Sequence, residues 1–196
     1  MGDVVSSARV IIAEDEAIIR LDLKEILELE GYEVVADTGR GDHAVELVAE
    51  YQPDVVILDI KMPGLDGIEA AREIAAIGDT AIVILTAFSQ RDLVDRAIEA
   101  GALAYLVKPY TRDELVPAGE IARARHREMR AITDQARTLA DRLEARKSID
   151  RAKGVLMEET EMSEMEAFRF IQSSAMSSRC SMAEISVEVV AGSLRP

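Results

Sequence analysis

Glu14 and Asp15, Asp59, Thr86 and Lys108 each follow directly on a short apolar run: RVIIA at 9–13, VVIL at 55–58, AIVIL at 81–85 and AYLV at 104–107. If those runs end at one edge of a fold, two or three carboxylates, a hydroxyl and an ammonium meet there. Oxygen-only carboxylate clusters suit Mg²⁺, which keeps several waters and takes one or two protein acids. A lysine can balance the remaining negative charge and hold a phosphoryl oxygen as a point cation. Each group also has a plainer reading. Glu14-Asp15-Glu16 can be the acidic first turn of a helix, favoured by the helix dipole. Asp59 can be a turn former ahead of Lys61-Met-Pro-Gly64.

The intervening segments decide whether these groups converge. Ala17 to Glu30 reads as an amphipathic helix carrying Ile18, Leu21, Ile26, Leu27 and Leu29, with Gly31 as its C-terminal cap. Glu33 to Ala36 reads as a strand and Asp42 to Glu50 as a helix. Val55 to Leu58 has no polar break, as expected of a strand covered on both faces of a parallel sheet. Helices follow at Ile68 to Ile77 and Asp92 to Ala100, with strands at Ala81 to Leu85 and Ala104 to Val107. Alternating strands and helices imply a doubly wound parallel sheet with right-handed crossovers. In such sheets, chemistry collects beyond the strand ends.

The bulk properties exclude several classes. The chain is 48% hydrophobic and 31% charged, so it is globular rather than disordered. No stretch approaches the roughly 20 apolar residues of a membrane helix, and Met1 to Arg9 is short and polar, with no targeting signal. One cysteine, Cys180, forbids an internal disulfide or a zinc cluster and fits a reducing, cytoplasmic compartment. Residues 1–117 hold 10 Lys+Arg against 24 Asp+Glu, whereas residues 118–196 hold 13 of each. Within the second half, 118–153 is net +4 and 154–196 net −4. Non-specific attraction to phosphates would require a far more basic chain, so nucleic acid must be met through a few placed contacts.

Residues 8–117 resemble a response-regulator receiver domain, through AEDE at 13–16, LDIKMPGLDG at 58–67, ILTA at 84–87 and YLVKP at 105–109. The resemblance implies a flavodoxin-like α/β fold with strand order 2-1-3-4-5 and phosphorylation of Asp59 by a sensor histidine kinase. It also implies Mg²⁺ held by Glu14, Asp15, Asp59 and the backbone carbonyl of Lys61. Thr86 and Lys108 would bind the phosphoryl group, Tyr105 would be an aromatic switch, and the Lys108–Pro109 bond would be cis. Glu14 departs from the aspartate common at its position. No second nucleophile or general base accompanies Asp59, which argues against a hydrolase. His43 and His126 are expected on the surface, away from the site.

After the capping box Thr111-Arg-Asp-Glu114, the chain carries no strand signal. Pro117 and Gly119 should kink or loosen the helix that starts there. Met129, Ile132, Ala136, Leu139 and Leu143 are spaced 3, 4, 3 and 4, an a/d seam able to pair two chains. The alternative is one long helix packed on its own domain. Gly154 within a helical run suggests that something approaches that backbone closely. Helices should begin at Ser163 and Ser181, the first lined by Ala167, Phe168, Ile171 and Ala175 and the second by Ile185, Val189 and Val190. Met162, Met165 and Met176 read as core filler.

Residues 139–191 resemble the ANTAR domain, a three-helix RNA-binding output module, through DRAKGVLM at 150–157, EAFRFIQSSAM at 166–176 and MAEISVEVV at 182–190. Residues 118–138 then form a helical or coiled-coil linker. The resemblance implies binding to paired hairpins in nascent RNA, which would block a terminator or alter ribosome access. Lys153, Arg169 and Arg179 are the candidate contacts, with Gly154 allowing close approach. The competing expectation is a helical half that dimerises or docks a protein partner and touches no nucleic acid.

Overall fold

The computed structural model describes residues 7–87 and 91–196; the N-terminal stretch read as polar lies, through residue 6, outside them. The chain divides into two compact units, residues 1–130 and 131–196.

The first unit alternates β1 (Arg9–Ala13), α1 (Ala17–Leu29), β2 (Glu33–Thr38), α2 (Gly41–Tyr51), β3 (Val55–Asp59), α3 (Gly67–Ile77), β4 (Ala81–Thr86), α4 (Arg91–Glu99) and β5 (Ala104–Val107). It ends in the first part of α5 (Arg112–Thr160). All strands pair in parallel, in the order β2-β1-β3-β4-β5. Side chains alternate across the sheet, as the period of two requires. Ile11, Val56, Leu58, Ile82 and Ile84 face α2, α3 and α4. Val10, Ile12, Val55, Ile57, Val83 and Leu85 face Leu23 and Leu27 of α1 and Leu115 and Ala122 of α5. With helices on both faces, β3 and β4 are buried throughout, which accounts for their unbroken apolar sequence.

Glycine permits one close approach that matters for the site. A Cβ on Gly67 would run into the carbonyl oxygen of Asp59 and lie 2.8 Å from its carbonyl carbon. The start of α3 can therefore sit against the end of β3, where the Gly67 amide donates to the Ile60 carbonyl at 2.9 Å. Asp66 caps α3 through the amides of Ile68 and Glu69, both at 2.8 Å.

Several expectations change. α5 runs on through Pro117 without a break. Gly119 does not loosen it; a Cβ there would lie 3.4 Å from the Tyr32 hydroxyl, which donates to Glu120. In α1, Ile18, Leu21 and Leu29 point to solvent, while Leu23 and Leu27 enter the core. His126 is half-buried rather than superficial, and its Nε2 is enclosed 3.9 Å from Asp79, with no hydrogen-bond partner.

The second unit contains the later part of α5, α6 (Glu164–Ser178) and α7 (Met182–Val190). The first helix of the bundle is thus the end of a 49-residue helix, not a short one. Ser163 with Glu166 and Ser181 with Glu184 form complete capping boxes at the starts of α6 and α7. The core is Ala152, Leu156, Ala167, Ile171, Ala175, Ile185 and Val189. Met165 and Met176 are not core filler: they are 63% and 75% exposed. Phe170 packs against the core while Phe168 faces outward. Ile132, Leu139 and Leu143 on α5 are 54–64% exposed, as is Met129 in the first unit.

Candidate functional site

The four strand ends bring the sequence-selected groups together. Glu14 leaves β1 fully buried, its amide donating to the Thr38 carbonyl at 2.9 Å. Asp59 ends β3 almost fully buried, and Thr86 ends β4 at 1% exposure. Lys108 follows β5, its amide donating to the Thr86 carbonyl at 2.7 Å, and the Lys108–Pro109 peptide bond is cis. Carboxylate oxygens of Glu14, Asp15 and Asp59 all lie within 4.8 Å of one another; Asp15 alone is exposed. The Lys108 ammonium reaches Glu14 Oε2 at 2.5 Å and Asp59 Oδ1 at 3.1 Å.

Burial raises the pKa of both acids. For Glu14 the loss of water dominates, the Lys108 hydrogen bond opposes it, and Asp59 adds repulsion. For Asp59 the loss of water again leads, opposed by Lys108. Burial would lower Lys108, but the hydrogen bond to Glu14 and the charge of Asp59 outweigh it and hold the ammonium above its ordinary value. The cluster is a set of hard oxygen donors short of positive charge, with one lysine shared between two carboxylates.

Tyr105 is half-buried on β5; loss of water raises its pKa and a hydrogen bond with Thr86 opposes this. Its ring borders an apolar pocket with Val94, Ala97, Ile98, Arg125 and Met129. The exposed Lys61 borders a shallow pocket with Asp15, Ile60, Met62 and Pro63, beside the carboxylate cluster.

Two positions escaped sequence reasoning. Arg20 donates through Nη1 to the Glu14 carbonyl at 2.5 Å and through Nε to Asp37 Oδ1 at 3.0 Å, fixing the turn that carries Glu14 and Asp15. A cationic residue one turn into the helix after the acids was the available signal. The half-buried Tyr110 has its hydroxyl pKa pushed up by burial, then by Asp22, Glu14 and Asp59. Its place two residues after Lys108 was the only hint.

In the second unit, the Lys153 ammonium is held by Asp150 at 2.8 Å and Glu164 at 2.7 Å. Nothing lies within 4 Å of a Cβ built on Gly154, so among the described residues none makes the close approach expected there. Arg169 and Arg179 lie apart from these two on α6 and at its C-cap, both exposed.

Comparison with known proteins agrees with this architecture. Residues 10–119 match the response regulator receiver domain and residues 137–190 the ANTAR domain. The chain belongs to the response regulators, with a receiver followed by an ANTAR domain. It is 52% identical to the transcriptional regulatory protein PdtaR of Mycobacterium tuberculosis, over 96% of this chain and 92% of that one. It is 42% identical to the chemotaxis protein CheY of Bacillus subtilis, over 56% of this chain and 92% of that one. A chain of the CheX-CheY-BeF3-Mg²⁺ complex from Borrelia burgdorferi superposes with a TM-score of 0.54 at 27% identity, covering 57% of this chain and 85% of that chain. Among the described residues, no helix is long and apolar enough to cross a membrane.

Proposed function

We propose that this chain is a cytoplasmic, phosphorylation-controlled regulator of transcription termination. Residues 8–117 take a phosphoryl group on Asp59 from a sensor histidine kinase, 118–138 link, and 139–191 bind paired RNA hairpins. The observation that carries the first half is a buried Asp59 with two further carboxylates within 4.8 Å and the Lys108 ammonium 3.1 Å away.

The three carboxylates fit Mg²⁺, because all the donors are oxygen and two are buried. Glu14, Asp15, Asp59 and the Lys61 carbonyl would hold it, and when bound it neutralises charge on the phosphoryl oxygens. The Borrelia chain superposed above comes from a complex that contains Mg²⁺ and a phosphoryl mimic.

Asp59 acts as the nucleophile. One of its oxygens bonds to phosphorus as the phosphohistidine N–P bond breaks, and the imidazole leaves with the electron pair. Lys108, already beside Asp59, turns its ammonium to the phosphoryl oxygens. Thr86 donates its hydroxyl to the same group and gives up its bond with Tyr105. Tyr105 is then free to turn inward, the local event that biases the output face.

A second reading is favoured by one observation. Ile132, Leu139 and Leu143 keep heptad spacing yet stay more than half exposed, as expected of a seam that pairs two copies of the chain. Double replacement of Leu139 and Leu143 by Glu should abolish concentration-dependent self-association; unchanged association would refute the pairing.

The test of the main reading is fluorescence anisotropy of a two-hairpin RNA titrated with the full chain, with and without beryllofluoride and Mg²⁺, against a DNA duplex. Tighter RNA binding with the mimic, lost in Asp59→Asn, is the expected result. Absence of RNA binding in both states would overturn the output half and leave protein docking.

A further inference from the structure

The core face of α6 is Ala167, Ile171 and Ala175, all buried. Beside that face, rather than opposite it, an exposed stripe at helical spacing presents Met165, Phe168, Arg169, Gln172, Met176 and Arg179, with Phe168 on the edge nearest the buried Ala175. Three large apolar side chains on one stripe, interleaved with two arginines and an amide, differ from the single exposed apolar residues common on any surface. The two methionines are mostly exposed and Phe168 is 40% exposed, which leaves an apolar surface on this stripe that a partner can cover.

Charge on the page narrows the partner. Four of the acids around α6 are engaged within the bundle: Glu166 accepts from Ser163, Glu184 accepts from Ser181, Glu164 holds Lys153, and Glu159 holds Arg195, while Glu158 and Glu161 stay exposed ahead of the helix. Among the described residues neither Arg169 nor Arg179 is in an ion pair within 4 Å, though Arg169 lies one turn from Glu166 and helps lower the pKa of that carboxyl, after its bonds with Ser163. Arg179 is also the C-cap of α6 at φ 54° and ψ 39°. Glycine adopts that left-handed conformation without strain. Arginine there keeps a guanidinium at the end of the stripe at the expense of local backbone ease.

We infer that this outer face of α6 is the surface that takes the unpaired bases of an RNA hairpin loop, Phe168 stacking on a base while Arg169 and Arg179 meet the flanking phosphates. Loops offer splayed bases to stacking side chains and guanidinium planes. The inference rests on the RNA reading above; of its three basic candidates it keeps Arg169 and Arg179, adds Phe168, and sets aside Lys153, whose charge is already shared by two acids.

The experiment measures salt-dependent anisotropy of the two-hairpin RNA with the full-length protein, its Phe168→Ala and Arg179→Gly variants, and Val187→Ala on α7 as a control. Arg179→Gly should melt no lower than wild type, because glycine relaxes the cap, while Phe168→Ala should melt somewhat lower, because its ring is more than half covered, so binding is compared at a temperature where both variants are folded. Each should lose roughly tenfold in affinity, and Arg179→Gly should lower the salt slope by about 0.7. Val187→Ala should bind as wild type. Wild-type affinity in both α6 variants, with the parent protein binding RNA, would overturn the surface and leave the RNA reading standing. No binding by the parent would overturn both. Normal RNA binding with self-association lost in Phe168→Ala would overturn the inference in favour of a protein-facing stripe.

Discussion

Replacing Gly154 with alanine should stabilise the helical bundle by about 1 kcal/mol, the difference between the two residues in a helix interior. The magnitude follows from what surrounds the site. Gly154 lies well inside α5, and a Cβ built on it meets nothing within 4 Å, so the substitution brings neither overlap nor new core packing. Only backbone conformational freedom changes, and glycine has more of it to lose on folding. For a unit of this size, about 1 kcal/mol raises the melting temperature by roughly 4–8 °C. The assay is circular dichroism of the full chain at 222 nm, following the transition that the exposed-surface variant Val187→Ala leaves in place. A melting temperature unchanged or lowered by Gly154→Ala would refute the reasoning, since some part of the chain would then have to occupy the space beside Gly154. Weaker RNA binding together with the higher melting temperature would mark the glycine as a place where a partner, not the chain itself, comes close.

The same substitution at Gly67 should act in the opposite direction, losing about 1–3 kcal/mol by overpacking, because its Cβ would lie 2.8 Å from the Asp59 carbonyl carbon. Urea unfolding of the receiver measures this, and a gain in midpoint would refute it. Asp59→Asn should raise the urea midpoint at pH 7: burial lifts the carboxyl pKa, so the folded state holds its proton more tightly and stability falls as pH rises above the ordinary aspartate value. The gain should shrink toward pH 4. His126 has its pKa lowered by burial, with Asp79 opposing and Arg130 assisting. The unfolded chain therefore protonates first, and stability is complete above about pH 6.5 and declines below it. His126→Gln should lose less stability than the wild type between pH 7.5 and 5.5, and parallel urea profiles would refute that.

The sheet and its site were legible because one rule governs both. Apolar runs of four or five residues, each ending on Glu14, Asp59, Thr86 or Lys108, place chemistry at strand ends in any parallel sheet. Strand and helix bounds moved by no more than two residues, with β2 running on to Thr38. What stayed hidden depends on partners distant in sequence. Arg20 became visible as a brace for Glu14 only once β2 brought Asp37 beside it. Gly119 looked like a weak point in a helix until the Tyr32 ring was found against it. His126 sits among polar residues in the sequence, but the segment holding Asp79 covers it.

The apolar residues that sequence reasoning placed wrongly share a physical cause. Hydrophobic periodicity reports which positions share a helix face, not which face the fold covers. In α1 the core takes Leu23 and Leu27 and leaves Ile18, Leu21 and Leu29 outside. In α6 it takes Ala167, Ile171 and Ala175 and leaves Met165, Phe168 and Met176 more exposed. A chain of 196 residues that keeps Met, Phe, Ile and Leu in water on particular faces accepts a standing free-energy penalty of about 25 cal/mol for each Å² left uncovered. The faces that bear this penalty, on α1, on α5 from Ile132 to Leu143 and on α6, are therefore where the physics directs a search for partners, while the carboxylate cluster directs the search for the signal.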